Sequence, residues 1–256
     1  MIPFKHTPSL LKENLNKKQL TIGTWLTIPH RSVVEILSKS GFEWIVIDME
    51  HSPINISEVA DLIAHIQGNG MQALVRVNKN NEVIIKSVLD AGADGIVVPM
   101  VKNKQEAEKA VSYTYYPPYG ERGVGLNRAQ YYGEGFETYK SWLANNIVII
   151  AQIEHIESIH NLEEILSVDG IDGTIVGPYD LSGSMGYPGD YNREDVSEAL
   201  KNYMLKTKKF KKSLGYHVIE SNASICSKKV EQGYTFIAFS IDFLFLADKS
   251  KDELKK

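Results

Sequence analysis

Cysteine is almost absent from this chain, which has 256 residues and a single cysteine, Cys226. One thiol cannot form an internal disulfide or a cysteine-based zinc site, so a disulfide-stapled scaffold and a zinc finger are both excluded. The first six residues also lack the apolar core of a signal peptide. We therefore expect a protein of a reducing compartment, the cytoplasm.

The sequence also lacks an excess of positive charge and a long apolar run. Lysine and arginine total 28 against 32 acidic residues, which gives a formal net charge of −4. Such a balance offers no bulk attraction for a phosphate backbone, and no apolar run reaches the roughly 20 residues of a membrane span. We expect neither nucleic acid nor a membrane as a partner. Hydrophobic residues at 43% are typical of a globular protein with a sizeable core.

Three common catalytic patterns are missing as well. There is no G-x-x-x-x-G-K-[ST] loop, no clear G-x-G-x-x-G after a strand and no G-x-S-x-G elbow. Nucleotide-phosphate binding and serine hydrolysis therefore lose support. No lysine stands on a predicted strand where a Schiff base would be expected, which favours metal chemistry over imine chemistry.

What the sequence does contain is a repeated unit of a helix-like stretch, a glycine, about three residues and a short apolar run. The glycines are Gly41, Gly92, Gly170 and Gly233, and the runs cover residues 44–48, 96–99, 174–177 and 236–239. Glycine there can adopt the left-handed conformation that closes a helix, and a short run that is apolar throughout indicates a buried parallel strand.

Four further strand candidates bring the total to eight. They cover residues 21–28, 72–78, 147–154 and 214–220, and helical patterns cover 32–40, 56–67, 82–91, 104–113, 159–167, 193–212, 223–232 and 244–254. Eight strands alternating with helices predict an α/β fold, a (β/α)8 barrel, as one domain over residues 1–256. A doubly wound open sheet is the alternative. We expect the long connection over residues 115–146 to be a functional lid or an interface arm.

Ionisable side chains stand at the ends of several predicted strands. Asp48 and His51 follow strand 2, Arg76 lies at the end of strand 3, Glu154 ends strand 5 and Asp180 follows strand 6. The carboxyl ends of the strands carry the active site of such a barrel, so these side chains should form one acidic ring with one arginine.

This set of residues has a chemical interpretation. Glu154 and Asp180 could bind one divalent cation, because Mg²⁺ and Mn²⁺ take one or two carboxylates and leave the other positions to water and substrate. Arg76 could hold a substrate carboxylate bidentately, and His51, oriented by Asp48, could shuttle a proton. The alternative is that Glu154 or Asp180 merely pairs with Arg76.

Two other reactive groups favour structural roles. Asp90 lies at the end of a predicted helix, where a structural ion pair is favoured over catalysis. Cys226 lies in a helical stretch with no histidine beside it, so a buried, inert thiol is favoured over a nucleophile.

The motifs around these residues resemble those of the HpcH/HpaI aldolase family, the class II pyruvate aldolases, over about residues 23–245. The motifs that carry the resemblance are Gly23-Thr24-Trp25, Asp48-Met49-Glu50-His51-Ser52-Pro53, Val75-Arg76, Leu89-Asp90-Ala91-Gly92, Val98-Pro99-Met100-Val101, Tyr116-Pro117-Pro118, Gln152-Ile153-Glu154 and Gly177-Pro178-Tyr179-Asp180-Leu181-Ser182. Several motifs in one order make the resemblance specific.

The resemblance implies a (β/α)8 barrel with an exchanged last helix, assembled into a hexamer as a trimer of dimers. It implies a metal-dependent carbon–carbon lyase that reversibly cleaves a 4-hydroxy-2-oxo acid to pyruvate and an aldehyde. The residue roles that it implies are Mg²⁺, Mn²⁺ or Co²⁺ on Glu154 and Asp180, pyruvate held by Arg76, Gln152 and the backbone amides near Gly177 and Tyr179, and proton transfer by His51 paired with Asp48.

The chain departs from the family pattern where the aldehyde would approach. Tyr179 stands where a small residue is usual, and strand 7 carries His217 and Glu220 in place of a Gly-Lys-Pro-containing segment. We expect a neutral, hydroxylated, sugar-derived aldehyde to be used better than a dicarboxylate semialdehyde. Two other functions stay open: condensation or decarboxylation of an oxaloacetate-like donor, and a non-catalytic barrel that binds a metabolite.

Overall fold

Eight parallel strands close into a barrel in a computed structural model that describes residues 8–255. The strands follow one another in chain order, and the last pairs with the first. The predicted (β/α)8 barrel is confirmed, and the open-sheet alternative is wrong. The N-terminal hexapeptide on which the absence of a signal peptide was argued lies outside the described residues.

The strands are short and mostly buried along their whole length. They are β1 (Thr21–Leu26), β2 (Trp44–Asp48), β3 (Gln72–Arg76), β4 (Gly95–Val98), β5 (Val148–Ile153), β6 (Gly173–Val176), β7 (Ser213–Val218) and β8 (Phe236–Ile241). The helices are α1 (Leu10–Lys17), α2 (Arg31–Ser38), α3 (Ile56–Gly68), α4 (Glu82–Asp90), α5 (Lys104–Thr114), α6 (Phe136–Asn146), α7 (Ile156–His160), α8 (Leu162–Leu166), α9 (Pro178–Ser184), α10 (Glu194–Lys209), α11 (Ala223–Glu231) and α12 (Asp242–Leu254). Within residues 8–255, no helix has the length and apolar character needed to cross a membrane.

The repeated glycine units have the predicted conformation. Gly41, Gly92, Gly170 and Gly233 all have φ between 87° and 99°, the left-handed region in which a residue with a Cβ is strained. Each is followed by a strand within a few residues. These glycines therefore end the helices and turn the chain back into the barrel.

In three of these four units, an acidic residue precedes the strand and accepts a hydrogen bond from a backbone amide of the neighbouring strand. Glu43 Oε1 accepts the amide of Ile22 at 3.0 Å, and Asp94 Oδ2 accepts that of Ala73 at 2.8 Å. Asp172 Oδ2 accepts the amide of Ile149 at 2.9 Å. These amides lie at the amino-terminal ends of β1, β3 and β5, so the repeat contributes hydrogen bonds as well as turns.

The helix α1 closes the amino-terminal end of the barrel, and the sequence did not predict it. Its Leu11 and Leu15 join the apolar cluster that fills the barrel interior. Lys12 Nζ lies 2.5 Å from Asp172 Oδ1, an ion pair largely shielded from solvent. The helix has only eight residues, so its position depends on contacts with distant strands.

Three other elements differ from the sequence prediction. Residues 115–146 are not one long loop, because they contain a 3₁₀ helix (Arg128–Gly133) and α6, which buries Tyr139 and Trp142. The helix predicted over 159–167 is two short helices, α7 and α8, because Asn161 between them has φ −92° and ψ 11°. The short helix α9 had been overlooked, and it carries Asp180.

Candidate active site

Asp48 and Arg76 form the most tightly held pair at the carboxyl ends of the strands. They are register partners on β2 and β3, so their side chains point the same way from adjacent strands. Arg76 donates from Nε to Asp48 Oδ1 at 2.9 Å and from Nη2 to Oδ2 at 2.7 Å. Burial acts to raise the pKa of Asp48, but the hydrogen bond and charge of Arg76 outweigh it and hold that pKa below its ordinary value. The guanidinium also lies 4.3 Å over the Trp25 ring.

This pairing differs from the one predicted for Asp48. Its carboxylate accepts the backbone amides of Glu50 at 3.0 Å and His51 at 3.3 Å, so it shapes the turn after β2 and does not hold the His51 ring. The imidazole is 65% exposed, and its Nε2 lies 3.9 Å from Glu50 Oε2. Arg76 is likewise less open than predicted, because Asp48 occupies two of its three nitrogens.

Glu50 is a member of this site that the sequence argument missed. Its Oε2 lies 3.3 Å from Arg76 Nη1, is buried and makes no hydrogen bond within the described part of the chain. Burial raises the pKa of Glu50, with further contributions from the charges of Asp48 and Asp180, against the opposing effect of Arg76. The position stands inside the motif that contains Asp48 and His51, which was the available signal.

Glu154 follows β5 and is held by two donors. Its Oε1 accepts the amide of Met100 at 2.8 Å, and its Oε2 accepts Gln152 Nε2 at 2.5 Å. Met100 has φ 53°, a strained conformation for a residue with a side chain, and it aims this amide into the site. Burial, together with the charges of Glu50 and Asp180, raises the pKa of Glu154 to about 7, against the opposing effects of the Met100 amide and Arg76.

The segment after β6 brings three predicted site residues, Gly177, Tyr179 and Asp180, to the same end of the barrel. A Cβ on Gly177 would lie 3.2 Å from Glu154 Oε2 and 3.3 Å from Gln152 Nε2, so glycine leaves the space that Glu154 uses. The Gly177 amide already donates to Ile153 O at 3.2 Å. The unpaired amides at the start of α9 are therefore those of its next residues, Tyr179 and Asp180. Both side chains are exposed.

The donor set fits a hard divalent cation. Glu50, Glu154 and Asp180 are close enough to influence one another's protonation, and their mutual repulsion would be relieved by a cation. The buried carbonyl Oε1 of Gln152 has no hydrogen-bond partner among the described residues. The predicted alternative, in which Arg76 neutralises Glu154 or Asp180, is not observed, because Arg76 forms its ion pairs with Asp48 and Glu50.

The protein does not, however, supply a complete ligand shell. No group of three or more His, Cys, Asp or Glu side chains within residues 8–255 is arranged to hold a metal by itself. A site with only two carboxylate ligands, Glu154 and Asp180, agrees with this finding. Mg²⁺ and Mn²⁺ commonly bind one or two carboxylates and take water and substrate as the other ligands.

His217 lies inside the barrel mouth. Its ring centroid is 5.2 Å from that of Trp25, and its buried Nε2 has no hydrogen-bond partner among the residues described. Burial lowers the pKa of His217 to about 3, helped by the charge of Arg76, so the ring is neutral. Glu220 is exposed two residues beyond the end of β7, and the structure shows no hydrogen bond between these two side chains.

The ion pair predicted for Asp90 and the burial predicted for Cys226 are both observed. Asp90 Oδ1 accepts Arg122 Nη2 at 2.6 Å, next to the Tyr139 hydroxyl, which accepts Arg122 Nη1 at 3.0 Å. Cys226 is buried, and burial raises the pKa of its thiol.

Comparison with known proteins decides the family. The sequence profile of the HpcH/HpaI aldolase/citrate lyase family matches residues 21–248. This chain belongs to that family. The predicted family and the predicted class, a carbon–carbon lyase, are confirmed.

Individual known proteins are similar to this chain over nearly its whole length. The 2-keto-3-deoxy-L-rhamnonate aldolase of Escherichia coli K12 is 33% identical over 239 residues, 93% of this chain and 88% of the relative. A family protein from Burkholderia cenocepacia J2315 has a TM-score of 0.91 at 29% identity, covering 96% of this chain and 97% of that one. The citrate synthase SbnG has a TM-score of 0.84 at 26% identity, covering 96% of both chains.

Proposed function

We propose that this protein is a divalent-metal-dependent aldolase that reversibly cleaves a 4-hydroxy-2-oxo acid into pyruvate and an aldehyde. The observation that carries the proposal is that Glu154 lies within electrostatic reach of both Asp180 and Arg76. These residues provide anionic oxygens for a cation and one positive group for a substrate carboxylate at the same barrel end.

Glu154 and Asp180 would hold Mg²⁺, Mn²⁺ or Co²⁺. The cation supplies stabilisation of the negative charge that develops on the keto oxygen when the C–C bond breaks. Gln152 positions Glu154 through its amide, and its free carbonyl oxygen faces the same buried region. Arg76 can offer a substrate carboxylate only Nη1, because Asp48 holds Nε and Nη2, and the substrate would take the place that Glu50 Oε2 occupies 3.3 Å from Nη1.

His51 is the group on this rim that can exchange protons with a substrate. Its imidazole is exposed, so a bound substrate can reach Nε2, and Glu50 lies beside it. We assign to Nε2 the transfer of the proton of the 4-hydroxyl group, which must leave that oxygen as the aldehyde forms. Asp48 fixes the backbone at His51, so its loss would displace the ring indirectly.

The substrate class follows from the relative and from the rim. The 33% identical relative is named for a 2-keto-3-deoxy sugar acid, and we propose a substrate of that kind here. Tyr179 and Glu220 are exposed near the candidate metal ligands, where they would add a hydroxyl and a negative charge to the path of the aldehyde. A neutral polyhydroxy aldehyde suits this rim better than an anionic one.

We also propose an oligomer, a hexamer with exchange of the last helix. Within the described chain, α12 buries only Asp242, and Leu246 on the same helix is 65% exposed. Such an apolar surface would be covered if α12 packed on a second copy. A cytoplasmic location stays a prediction that rests on the single cysteine.

The test is metal-dependent release of pyruvate from a panel of 2-keto-3-deoxy sugar acids. Chelator should abolish cleavage, and Mn²⁺, Mg²⁺ or Co²⁺ should restore it. Full activity in chelator would overturn the proposal.

A second candidate, condensation or decarboxylation of an oxaloacetate-like donor, is favoured by the similarity to the citrate synthase SbnG. The same assay with oxaloacetate in place of the sugar acid separates the two. Oxaloacetate consumption without cleavage of any hydroxy-oxo acid would favour the second candidate.

A further inference from the structure

A groove of about 460 Å³ lies on the outer side of β7, between α10 and α11. Its floor is formed by Tyr216 and Tyr234, which belong to the apolar layer between barrel and helices and not to the barrel interior. The ring of His217, the next residue of β7, packs on Trp25 inside the barrel. None of Asp48, Arg76 and Glu154 lines the groove, although its upper rim, with Pro178, His217 and Glu220, adjoins the carboxyl-terminal end of the barrel. Its volume is that of a small-molecule pocket.

The groove floor has hydrogen-bond donors without acceptors. The rings of Tyr216 and Tyr234 meet edge to face with centroids 5.0 Å apart, and Lys229 Nζ lies 4.0 Å from the Tyr216 centroid. In the described structure, neither phenol hydroxyl makes a hydrogen bond to protein, and Lys229 has neither a hydrogen bond nor a salt bridge. A half-buried ammonium without an acidic partner is unusual, because burial of an unpaired charge is unfavourable.

The electrostatics of the groove favour an anionic guest. Burial raises the pKa of both phenols, so they remain O–H donors at neutral pH. Burial lowers the pKa of Lys229, and the charge of Glu220 opposes that effect. Glu220 is the one acidic residue of the groove lining and is exposed.

The remaining walls suit a carbon skeleton. Leu200 and Met204 line the α10 side of the groove, and Ile225 lines the α11 side. We propose that this groove is a second small-molecule site, which takes an organic anion of metabolite size. Its carboxylate or phosphate group binds Lys229 and the two phenols, and its skeleton packs on the apolar wall. This inference does not depend on the proposed aldolase function.

Calorimetric titration with three matched probes tests the site. Glycerate and glycerol 3-phosphate share a three-carbon hydroxylated skeleton and differ in the oxyanion, and glycerol is the uncharged control. We expect at least one anion to bind and glycerol not to bind. The tighter of the two anions identifies carboxylate or phosphate as the natural group.

Two neighbouring lysines of α11 locate the binding. Lys229→Met keeps the length and the apolar stem of the side chain but removes the charge, and it should weaken anion binding by about tenfold or more. Lys228→Met removes an exposed charge one residue away, outside the groove, and should leave binding unchanged. Equal weakening in both variants, equal binding of glycerol, or binding of neither anion would overturn the proposal. Far-ultraviolet circular dichroism checks that both variants fold.

Discussion

The two ends of the barrel use acidic residues in opposite ways. At the amino-terminal end, Asp94 accepts the Ala73 amide and the Gln67 side chain, and Asp172 accepts the Ile149 amide and pairs with Lys12. Each of these carboxylates has donors from the protein itself. Their function is complete within the fold, which they hold together.

At the carboxyl-terminal end the acids outnumber the groups that could satisfy them. Arg76 donates from Nε and Nη2 to Asp48. The buried Oε2 of Glu50 therefore makes no hydrogen bond in the described chain. Glu154 and Asp180 add further negative charge. An acid at a strand end is therefore not in itself a sign of function. The informative feature is whether the fold supplies its partners.

Glu154→Gln gives the largest expected effect and tests the carboxyl-terminal end. It removes a proposed metal ligand and should lower kcat/KM for cleavage by roughly 10³-fold or more. Because burial of the Glu154 charge is unfavourable, the free energy of unfolding at pH 8 should be unchanged or higher. Steady-state kinetics and urea unfolding measure the two quantities. Glu157→Gln, an exposed acid three residues on, is the matched control.

His51→Ala separates proton transfer from metal binding at the same end. Turnover should fall by roughly 10²- to 10⁴-fold, the usual range for a positioned acid or base. Metal affinity, measured by Mn²⁺ titration, should stay the same because His51 is not a proposed ligand. Loss of metal from this variant would make His51 a ligand and contradict the role given to it.

Asp172→Ala should affect stability and not chemistry. It leaves Lys12 with its side chain only 14% exposed and without its acidic partner, which should cost about 3–5 kcal/mol of unfolding free energy. The kcat of the folded fraction should not change. Glu13 lies on α1, next to Lys12, and pairs with Lys17 in solvent. Glu13→Ala breaks this exposed pair and should lower the free energy of unfolding by at most about 0.5 kcal/mol. Equal costs would contradict the contrast between shielded and exposed pairs.

The pH dependence of stability tests Asp94 at the amino-terminal end. Burial raises its pKa to about 6 in the folded protein, above the ordinary value of 3.8. The folded state therefore binds this proton more tightly, so the stabilisation is complete below pH 3.8 and is lost as pH rises through about 6. The loss amounts to at most about 3 kcal/mol. Asp94→Asn should flatten this part of the stability profile, measured by urea unfolding, whereas Asp169→Asn on an exposed turn should leave it as it was.

Glu220→Gln gives the smallest expected effect and tests the specificity of the rim. The wild type should use a neutral hydroxylated aldehyde better than succinic semialdehyde in the condensation direction. Because Glu220 is exposed, removing its charge should improve use of succinic semialdehyde by only about two- to fivefold in kcat/KM. A wild-type preference for succinic semialdehyde that Glu220→Gln does not change would show that Glu220 does not determine the choice of aldehyde.

The barrel could be predicted because its signals are local. A glycine such as Gly92 closes a helix through its own backbone freedom, and a four-residue run such as Ile96–Pro99 is apolar because both faces of a parallel strand are covered. Helix α1 escaped prediction because it is held by strands more than 50 residues away, as in the bond from the Leu11 amide to Gln72. The helix in residues 115–146 was missed because proline and glycine in the first part of that segment outweighed a weak helical pattern.

The sequence by itself placed Asp48, Arg76, Glu154 and Asp180 at the carboxyl end of the barrel, because each stands at the end of a strand or shortly after it. Only the tertiary structure decided how they pair. Asp48 and Arg76 are 28 positions apart, and the register between β2 and β3 brings them together, so Asp48 holds an arginine and not the histidine three residues along. Gly177 is a second example. A Cβ at this position would lie 3.2 Å from Glu154 Oε2, and Glu154 follows a different strand, so the sequence around Gly177 does not reveal why glycine is needed there. Partner choice depends on register and on distances between strands, which no local pattern encodes.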